Sequence, residues 1–114
     1  MQPYIIKPKI KIVTLNKLSK NEIQARIKGI DHAWVLKNNA ISRVFRFQDF
    51  VQAFSFMTSV ALIAEKYVHH PNWENIYNKV IITLKTHDVD GLTVKDFQLA
   101  QEIDQIINIS KFIH

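Results

Sequence analysis

The chain contains no cysteine among its 114 residues. A disulfide framework and a thiolate metal site are therefore excluded. The sequence also lacks any apolar run near the roughly 18 residues that a membrane-spanning helix requires. Residues 1–13 interleave lysine and proline with apolar residues, unlike the continuous apolar core of a signal peptide. We therefore expect a soluble cytoplasmic protein with no membrane partner.

Clustered charge is scarce, although the formal net charge is +5. The lysines are dispersed except for Lys7, Lys9 and Lys11, and neither an arginine-rich helix nor an aromatic RNA-binding motif accompanies them. A basic balance can attract nucleic acid or an acidic membrane. This distribution instead favours a solvated basic surface, so we do not expect a nucleic-acid partner.

The length and composition indicate one globular domain. Of the 114 residues, 47% are hydrophobic and 22% are charged, which is typical of a globular protein. A chain of this length can bury one core but is too short for two domains. We assign residues 1–17 to an extended N-terminal arm and residues 18–114 to the folded domain. Within the arm, residues 10–14 alternate weakly, as in a strand.

The domain begins with a helix-start signature. Ser19 can cap the helix, and Glu22 three residues later completes a capping box. The helix should run to about Lys28, with Gly29 as its C-terminal stop. A similar pair, Thr93 and Asp96, opens the last helix. The predicted core stripe of that last helix is Leu99, Ile103, Ile106 and Ile107.

Two pairs of strand-like segments are predicted. Residues 33–36 and 40–47 flank a lysine and two asparagines, and asparagine tolerates the left-handed conformations of a tight hairpin turn. Residues 72–78 and 79–86 form the second pair. The alternating residues that indicate one buried face in the last segment are Val80, Ile82 and Leu84.

Residues 48–68 give the strongest helix prediction, and they carry two apolar stripes. A helix packed on one sheet needs only one. A second stripe favours burial against another subunit, although a third layer within the chain would serve as well. If the second stripe meets a partner, a monomer would expose it. The first stripe is Phe50, Phe54, Met57, Ala61 and Ala64, and the second is Phe56, Val60, Ile63 and Tyr67.

The predicted order is α-β-β-α-β-β-α. Short strands joined by hairpins, with helices returning between them, indicate an α+β fold: a four-stranded antiparallel sheet with three helices packed on one face.

One spacing carries chemistry: Glu65, three residues, His69-His70-Pro71, five residues, Tyr77, nine residues, His87, eight residues, Asp96. With the flanking blocks THDVDGLTVKDFQLAQEID and ISRVFRFQDFVQAFSFMTSVALIAE, it resembles the pterin-4a-carbinolamine dehydratase family over residues 18–107. The chain departs from the family pattern at Asp90, where many members have glycine. The N-terminal arm has no counterpart in the resemblance.

The resemblance implies a dehydratase that converts 4a-hydroxytetrahydrobiopterin to quinonoid dihydropterin and water, recycling the cofactor of aromatic amino-acid hydroxylases. Hydroxide is a poor leaving group, so an acid should protonate it while a base takes the proton from the ring nitrogen. Histidine can do either at neutral pH. The reaction needs no redox cofactor or metal, because the nitrogen lone pair expels the hydroxyl.

The resemblance also implies residue roles. His70 is the leading acid–base residue, His69 its companion, and His87 a third ring that positions the pterin. Glu65 and Asp96 are expected to orient these rings or to bind substrate, although Glu65 could be a solvated helix residue and Asp96 only a cap. Trp73 is a candidate pocket wall, and Trp34 could stack on the pterin.

Three alternatives remain open. His69 and His70 could be only a polar helix terminus, since cations suit a helix C-terminus. Three histidines and a carboxylate can bind zinc, but the sequence lacks the i, i+4 pairing usual for ligands on one helix, so we predict no metal. Some members of the family also act as dimerisation cofactors for a transcription factor. A non-catalytic interaction protein on the same fold is therefore the alternative function.

Overall fold

The computed structural model describes residues 15–113, and their side chains through residue 109. The strand predicted at residues 10–14 lies outside the described residues. The observed order, α-β-β-α-β-β-α, confirms the prediction. The elements are α1 (Lys20–Arg26), β1 (Val35–Lys37), β2 (Ala40–Arg46), α2 (Phe50–Tyr67), β3 (Asn72–Ile76), β4 (Lys79–Leu84) and α3 (Val94–Ile113).

The four strands form one antiparallel sheet in the order β1-β2-β4-β3. Register places Ile41 opposite Leu84 and Phe45 opposite Val80, so these residues share the face that the helices cover. The predicted alternation in β4 is confirmed, because Val80, Ile82 and Leu84 are each 0% exposed.

The hairpin between β1 and β2 turns at two asparagines, as predicted. Asn38 and Asn39 have φ of 52° and 63°. Two successive left-handed residues match the twist of the flanking strands, and asparagine tolerates that conformation better than most side chains.

The predicted capping box at the start of α1 is confirmed. Ser19 Oγ accepts from the Glu22 backbone, and Glu22 Oε1 accepts from the Ser19 backbone N–H at 2.8 Å. The prediction that Gly29 ends this helix as a left-handed C-terminal glycine is wrong. The α-helix ends at Arg26 and tightens into a 3₁₀ turn over Ile27–Gly29, and no glycine in the described chain has a positive φ.

The face of α2 that packs on the core is the second stripe. Phe56 is 5% and Val60 0% exposed, and Phe56 stacks on Phe45 with ring centroids 4.7 Å apart. The expectation that this stripe would be exposed in a monomer is therefore wrong. The exposed apolar residues lie on the opposite side of the helix: Val51 (70%), Phe54 (55%) and Leu62 (70%).

Helix α3 also packs against the core. Its predicted stripe holds, with Leu99 at 1% and Ile103 at 0% exposure, while Ile106 and Ile107 are partly buried against the same cluster. Its start carries one half of the predicted box: Asp96 Oδ2 accepts from the Thr93 backbone N–H at 2.9 Å, whereas the Thr93 hydroxyl accepts from the Lys95 backbone N–H at 3.3 Å. Among residues 15–113, no helix is long and apolar enough to cross a membrane.

Candidate active site

The two adjacent histidines follow a strained turn at the end of α2. Val68 adopts a left-handed conformation with φ of 51°, which is unusual for a β-branched residue. The backbone N–H of Val68 donates to Glu65, and that of His69 donates to Ala64 at 3.0 Å. This Schellman arrangement ends the helix before the histidines and turns the chain back across its last carbonyls.

His69 is held by a buried carboxylate. Its Nε2 lies 2.6 Å from Asp96 Oδ1, and Asp96 is 0% exposed. The other oxygen, Asp96 Oδ2, accepts from the Thr86 hydroxyl at 2.7 Å and from the Thr93 backbone N–H at 2.9 Å. Because a carboxylate accepts hydrogen bonds, the neutral His69 ring that fits this contact has its proton on Nε2, which leaves Nδ1 as an acceptor.

Residues Thr86–Gly91 form the loop that supplies both His87 and the Thr86 hydroxyl. The Thr86 N–H donates to the Gly91 carbonyl at 2.8 Å, closing the loop around a short 3₁₀ turn, His87–Val89. Asp90 has φ of 50°, a conformation that glycine adopts without strain. The loop thereby holds the Thr86 hydroxyl against Asp96 and leaves the neighbouring His87 exposed.

His70 has a different environment from His69. Its Nε2 lies 2.9 Å from Glu65 Oε1, and both side chains are mostly exposed, at 62% and 81%. The pair is therefore well hydrated, unlike the buried His69–Asp96 pair.

A cavity of about 230 Å³ brings these groups together. The Lys85 ammonium donates to the Asp90 carboxylate and holds the pKa of that carboxyl below its usual range. The cavity lining thus contains three imidazoles and the ammonium groups of two lysines. Its lining residues are Leu15, Val68, His69, His70, Lys85, Thr86, His87, Asp88 and Lys95.

Two tryptophans named from the sequence lie elsewhere. Trp73 is 37% exposed on β3 and lines a separate depression with Ile81 and Thr83. Trp34 is 3% exposed in the core, and its indole N–H donates to Asp104 at 2.7 Å. The guess that Trp34 stacks on a pterin is wrong, because packing and this hydrogen bond bury the ring.

The described part of the chain contains no group of three or more histidine, cysteine, aspartate or glutamate side chains arranged to hold a metal ion. Adjacent residues project differently, and here His69 and His70 turn to separate carboxylates, Asp96 and Glu65.

Sequence reasoning missed four residues of the site: Thr86, Thr93, Lys85 and Lys95. Thr86 and Thr93 are both buried, and their hydroxyls lie 2.8 Å apart. The sequence did contain a signal for Thr86. It is the next inward position after Val80, Ile82 and Leu84, so its hydroxyl is a polar group in the core that requires a partner. The two lysines had no signal, because their approach to the cavity depends on how the loop and α3 pack.

Comparisons with known proteins show similarity over most of the chain. The family model described as pterin 4 alpha carbinolamine dehydratase matches residues 16–106. A protein of Prochlorococcus marinus (strain MIT 9312), provisionally named pterin-4-alpha-carbinolamine dehydratase, is 47% identical over 108 residues, covering 95% of this chain and 99% of the relative. That alignment reaches into residues 1–17, for which the sequence resemblance offered no counterpart.

Two solved structures are similar. A crystal structure from Brucella melitensis, described as a transcriptional coactivator/pterin dehydratase, superposes with a TM-score of 0.75 at 42% identity, covering 80% of this chain and 98% of the other. A pterin dehydratase-like protein described as a RuBisCO assembly factor in the alpha-carboxysome matches with a TM-score of 0.55 at 23% identity, covering 65% and 88%, and shows the fold alone. With a family model matching residues 16–106 and these relatives, the chain belongs to the pterin-4-alpha-carbinolamine dehydratase family.

Proposed function

We propose that the chain is a cytoplasmic dehydratase that converts 4a-hydroxytetrahydrobiopterin to quinonoid dihydropterin and water, recycling the pterin of aromatic amino-acid hydroxylases. The observation that carries this proposal is the His69–Asp96 pair: a histidine fixed by a fully buried carboxylate on the wall of a cavity with two further histidines. Family membership supports the same reaction.

His69 is the base in this proposal. Its Nε2–H donates to Asp96, so Nδ1 has the free lone pair that can remove the proton from N5 of the pterin. As that proton leaves, the N5 electrons form the C4a=N5 double bond and the C4a–O bond breaks. Asp96 orients the ring and stabilises the imidazolium that forms. These are the two roles of a buried carboxylate beside a catalytic histidine.

His70 is the acid. A proton delivered to the departing hydroxyl makes water, so the substrate loses one proton to His69, gains one from His70, and needs no cofactor. Exposure of 62% lets His70 regain its proton from solvent, and Glu65 Oε1, 2.9 Å from Nε2, orients the ring. His87 lines the same cavity and positions the pterin ring. The structure gives Trp73 no place in this cavity, so its role stays a prediction.

The test is the decay of 4a-hydroxytetrahydropterin generated by a hydroxylase, followed by absorbance with and without the purified protein. Acceleration proportional to protein concentration is expected, and it should persist after treatment with a chelator. Decay at the spontaneous rate would contradict the proposal, and activity restored only by a metal would revive the zinc alternative.

We also propose that the chain forms a homo-oligomer through α2. A monomer exposes Val51, Phe54 and Leu62 on the side of α2 opposite the core. Small polar residues, such as Ser55 and Thr58, lie between them, and the charged Glu65 lies at the C-terminal end of this face. Contiguous exposed apolar surface of this kind marks an interaction site. A second copy of the chain buries this surface by packing the same face of its own α2 against it.

The exposed face of α2 also supports the alternative function, a non-catalytic interaction protein. A transcriptional coactivator-like role would use this surface and would not need the His69–Asp96 pair. The two functions separate cleanly in the decay assay: an interaction protein leaves the rate unchanged, whereas a dehydratase raises it whether or not another protein is bound.

A further inference from the structure

The buried carboxylate of Asp96 is stabilised by hydrogen-bond donors rather than by a fixed cation. Among residues 15–109, whose side chains the structure describes, its one ion-pair partner is the titratable ring of His69. Because Asp96 is 0% exposed, protein donors must replace the water that would otherwise solvate its charge. Its Oδ2 receives two of them, the Thr86 hydroxyl at 2.7 Å and the Thr93 backbone N–H at 2.9 Å.

The two donors to Asp96 Oδ2 differ in what they do for the fold. The Thr93 contact belongs to the start of α3, where a backbone N–H needs a side-chain acceptor. Thr86 lies ten residues before Asp96, just after the end of β4, and donates with its side chain. The start of α3 does not depend on this hydroxyl, so its contact with Asp96 has a different role.

The hydroxyls of Thr86 and Thr93 form a chain that has one consistent direction. A carboxylate accepts, so the single hydroxyl proton of Thr86 points to Asp96. The Thr86 oxygen, 2.8 Å from that of Thr93, must then accept from the Thr93 hydroxyl. The Thr93 oxygen in turn accepts from the Lys95 backbone N–H at 3.3 Å. Each bond in such a chain polarises the next and strengthens the last one, which ends on Asp96.

This chain fixes how Asp96 presents its other oxygen to His69. Because Oδ2 already accepts two hydrogens, it has no place for a proton, and the carboxylate cannot rotate without breaking both bonds. Oδ1 is thereby held as an acceptor 2.6 Å from His69 Nε2. The neutral ring then has its proton on Nε2 and its lone pair on Nδ1, the atom that the proposed reaction requires.

We propose that Thr86 is a positioning residue for the dehydration, which acts through Asp96 to hold the tautomer and the orientation of His69. This inference rests on the proposed function. The Thr86 hydroxyl proton is committed to Asp96, so Thr86 itself transfers no proton to the substrate. Its removal should therefore lower turnover and leave the apparent affinity for substrate largely unchanged.

Three variants of the full-length protein separate the hydroxyl from the volume of the side chain. In Thr86→Val a methyl group replaces the hydroxyl, and turnover should fall about tenfold with KM within about twofold of the parent. Thr86→Ser keeps the hydroxyl and should stay within about threefold of the parent in turnover. Thr83→Val is the matched control, because it breaks a hydroxyl pair with Ser42 (3.1 Å) on the opposite face of the sheet, and it should retain full turnover.

The ring of His69 provides a second measurement, which a purely structural threonine would not affect. Nitrogen NMR of the neutral ring distinguishes an imidazole protonated on Nε2 from one protonated on Nδ1. The parent, Thr86→Ser and Thr83→Val should show the Nε2–H form, and Thr86→Val a mixture of the two. Circular dichroism confirms the fold of each variant. If valine prevents folding, Thr86→Ala, which also lacks the hydroxyl, takes its place.

Three results would overturn the inference and leave the dehydratase proposal intact. They are turnover of Thr86→Val within about twofold of the parent, an equal loss in Thr86→Ser, and a His69 tautomer that does not change in folded Thr86→Val. A parent that leaves the decay of 4a-hydroxytetrahydropterin at its spontaneous rate would instead contradict the proposed function. The NMR measurement needs no substrate, so it tests the control of His69 by Thr86 in either case.

Discussion

Two carboxylates on α3 are buried, and their partners give them different roles. Asp96 (0% exposed) and Asp104 (8%) each accept three hydrogen bonds. Asp104 is neutralised by the permanently charged Arg43, with Nη1 2.7 Å from Oδ1. Asp96 instead faces a titratable ring, His69, at a cavity. A fixed counter-charge suits a structural site, whereas a titratable partner suits proton transfer.

Asp104 ties α3 to the sheet and to the segment before β1. Its oxygens accept from the Asp31 backbone, the Trp34 indole and the Arg43 guanidinium at 2.9, 2.7 and 2.7 Å. Asp104→Ala removes the acceptor of three hydrogen bonds and leaves Arg43 with only the more distant Asp31 Oδ2 at 3.7 Å, so the free energy of unfolding should fall by about 3–5 kcal/mol. Urea denaturation measures the loss. Glu102→Ala removes the same charge from the same helix and should change stability by less than about 0.5 kcal/mol.

The sequence predicted the histidine cluster but missed the Asp104 network, for a physical reason. The spacing of His69, His70 and His87 matches a known pattern, whereas a buried ion pair between Arg43 and Asp104 joins residues 61 apart. One signal was available. Arg43 lies between Ile41 and Phe45 on the inward face of β2, where an arginine requires a buried partner.

At the scale of elements, the end of α2 is the most strained connection near the site. Sequence rules expect glycine or asparagine at this left-handed position, but the chain has Val68, so the Schellman turn could not be predicted. Proline at position 71 signalled only that the helix would stop before it.

Val68→Gly should raise the free energy of unfolding by about 1 kcal/mol, because relief of left-handed strain exceeds the extra entropy that glycine loses. Val68→Ala retains a Cβ and should gain less. The urea midpoints of the two variants provide the measurement. A glycine variant less stable than the alanine variant would show that Val68 is not strained.

The cap of α1 provides a pH-dependent prediction. The Ser19 backbone N–H and hydroxyl hold the pKa of Glu22 below its usual 4.5. A carboxyl with a lowered pKa in the folded state contributes stability above its unfolded pKa and loses it as the pH falls through the folded value. The parent should therefore be more stable than Glu22→Gln at neutral pH, and the difference should shrink below about pH 4.5.

Urea midpoints at pH 7 and pH 3 measure that difference. Glu74→Gln removes an exposed charge that caps no helix, and its stability relative to the parent should not follow this trend. A difference between parent and Glu22→Gln that stays constant with pH would contradict the capping role.

Periodicity identified α2 and its two apolar stripes but could not decide which stripe faces the core. Both are spaced at helical intervals, and the choice depends on the rings of Phe45 and Phe47, which stack on Phe56 at 4.7 and 5.0 Å. These contacts join the helix to the strand and turn before it, so the periodicity of the helix itself does not encode them.

At the scale of the whole molecule, assembly is testable through the outer face of α2. Leu62→Glu places a charge on the exposed apolar face without touching the core, so it should shift sedimentation toward monomer while the fold persists. Gln24→Glu on α1 adds the same charge elsewhere and should leave assembly unchanged. A parent that sediments as a stable monomer at micromolar concentration would end the proposal.

The central claim is that His69, oriented by Asp96, removes a proton during dehydration. The most direct measurement is the decay of 4a-hydroxytetrahydropterin with the parent, His69→Ala and Asp96→Asn, each folded by circular dichroism. His69→Ala should lose about 10²–10⁴-fold in turnover, the usual contribution of general acid–base catalysis. Asp96→Asn should fall between this variant and the parent, because the ring remains while a neutral amide replaces its anionic acceptor. Turnover within about twofold of the parent for His69→Ala would contradict the account.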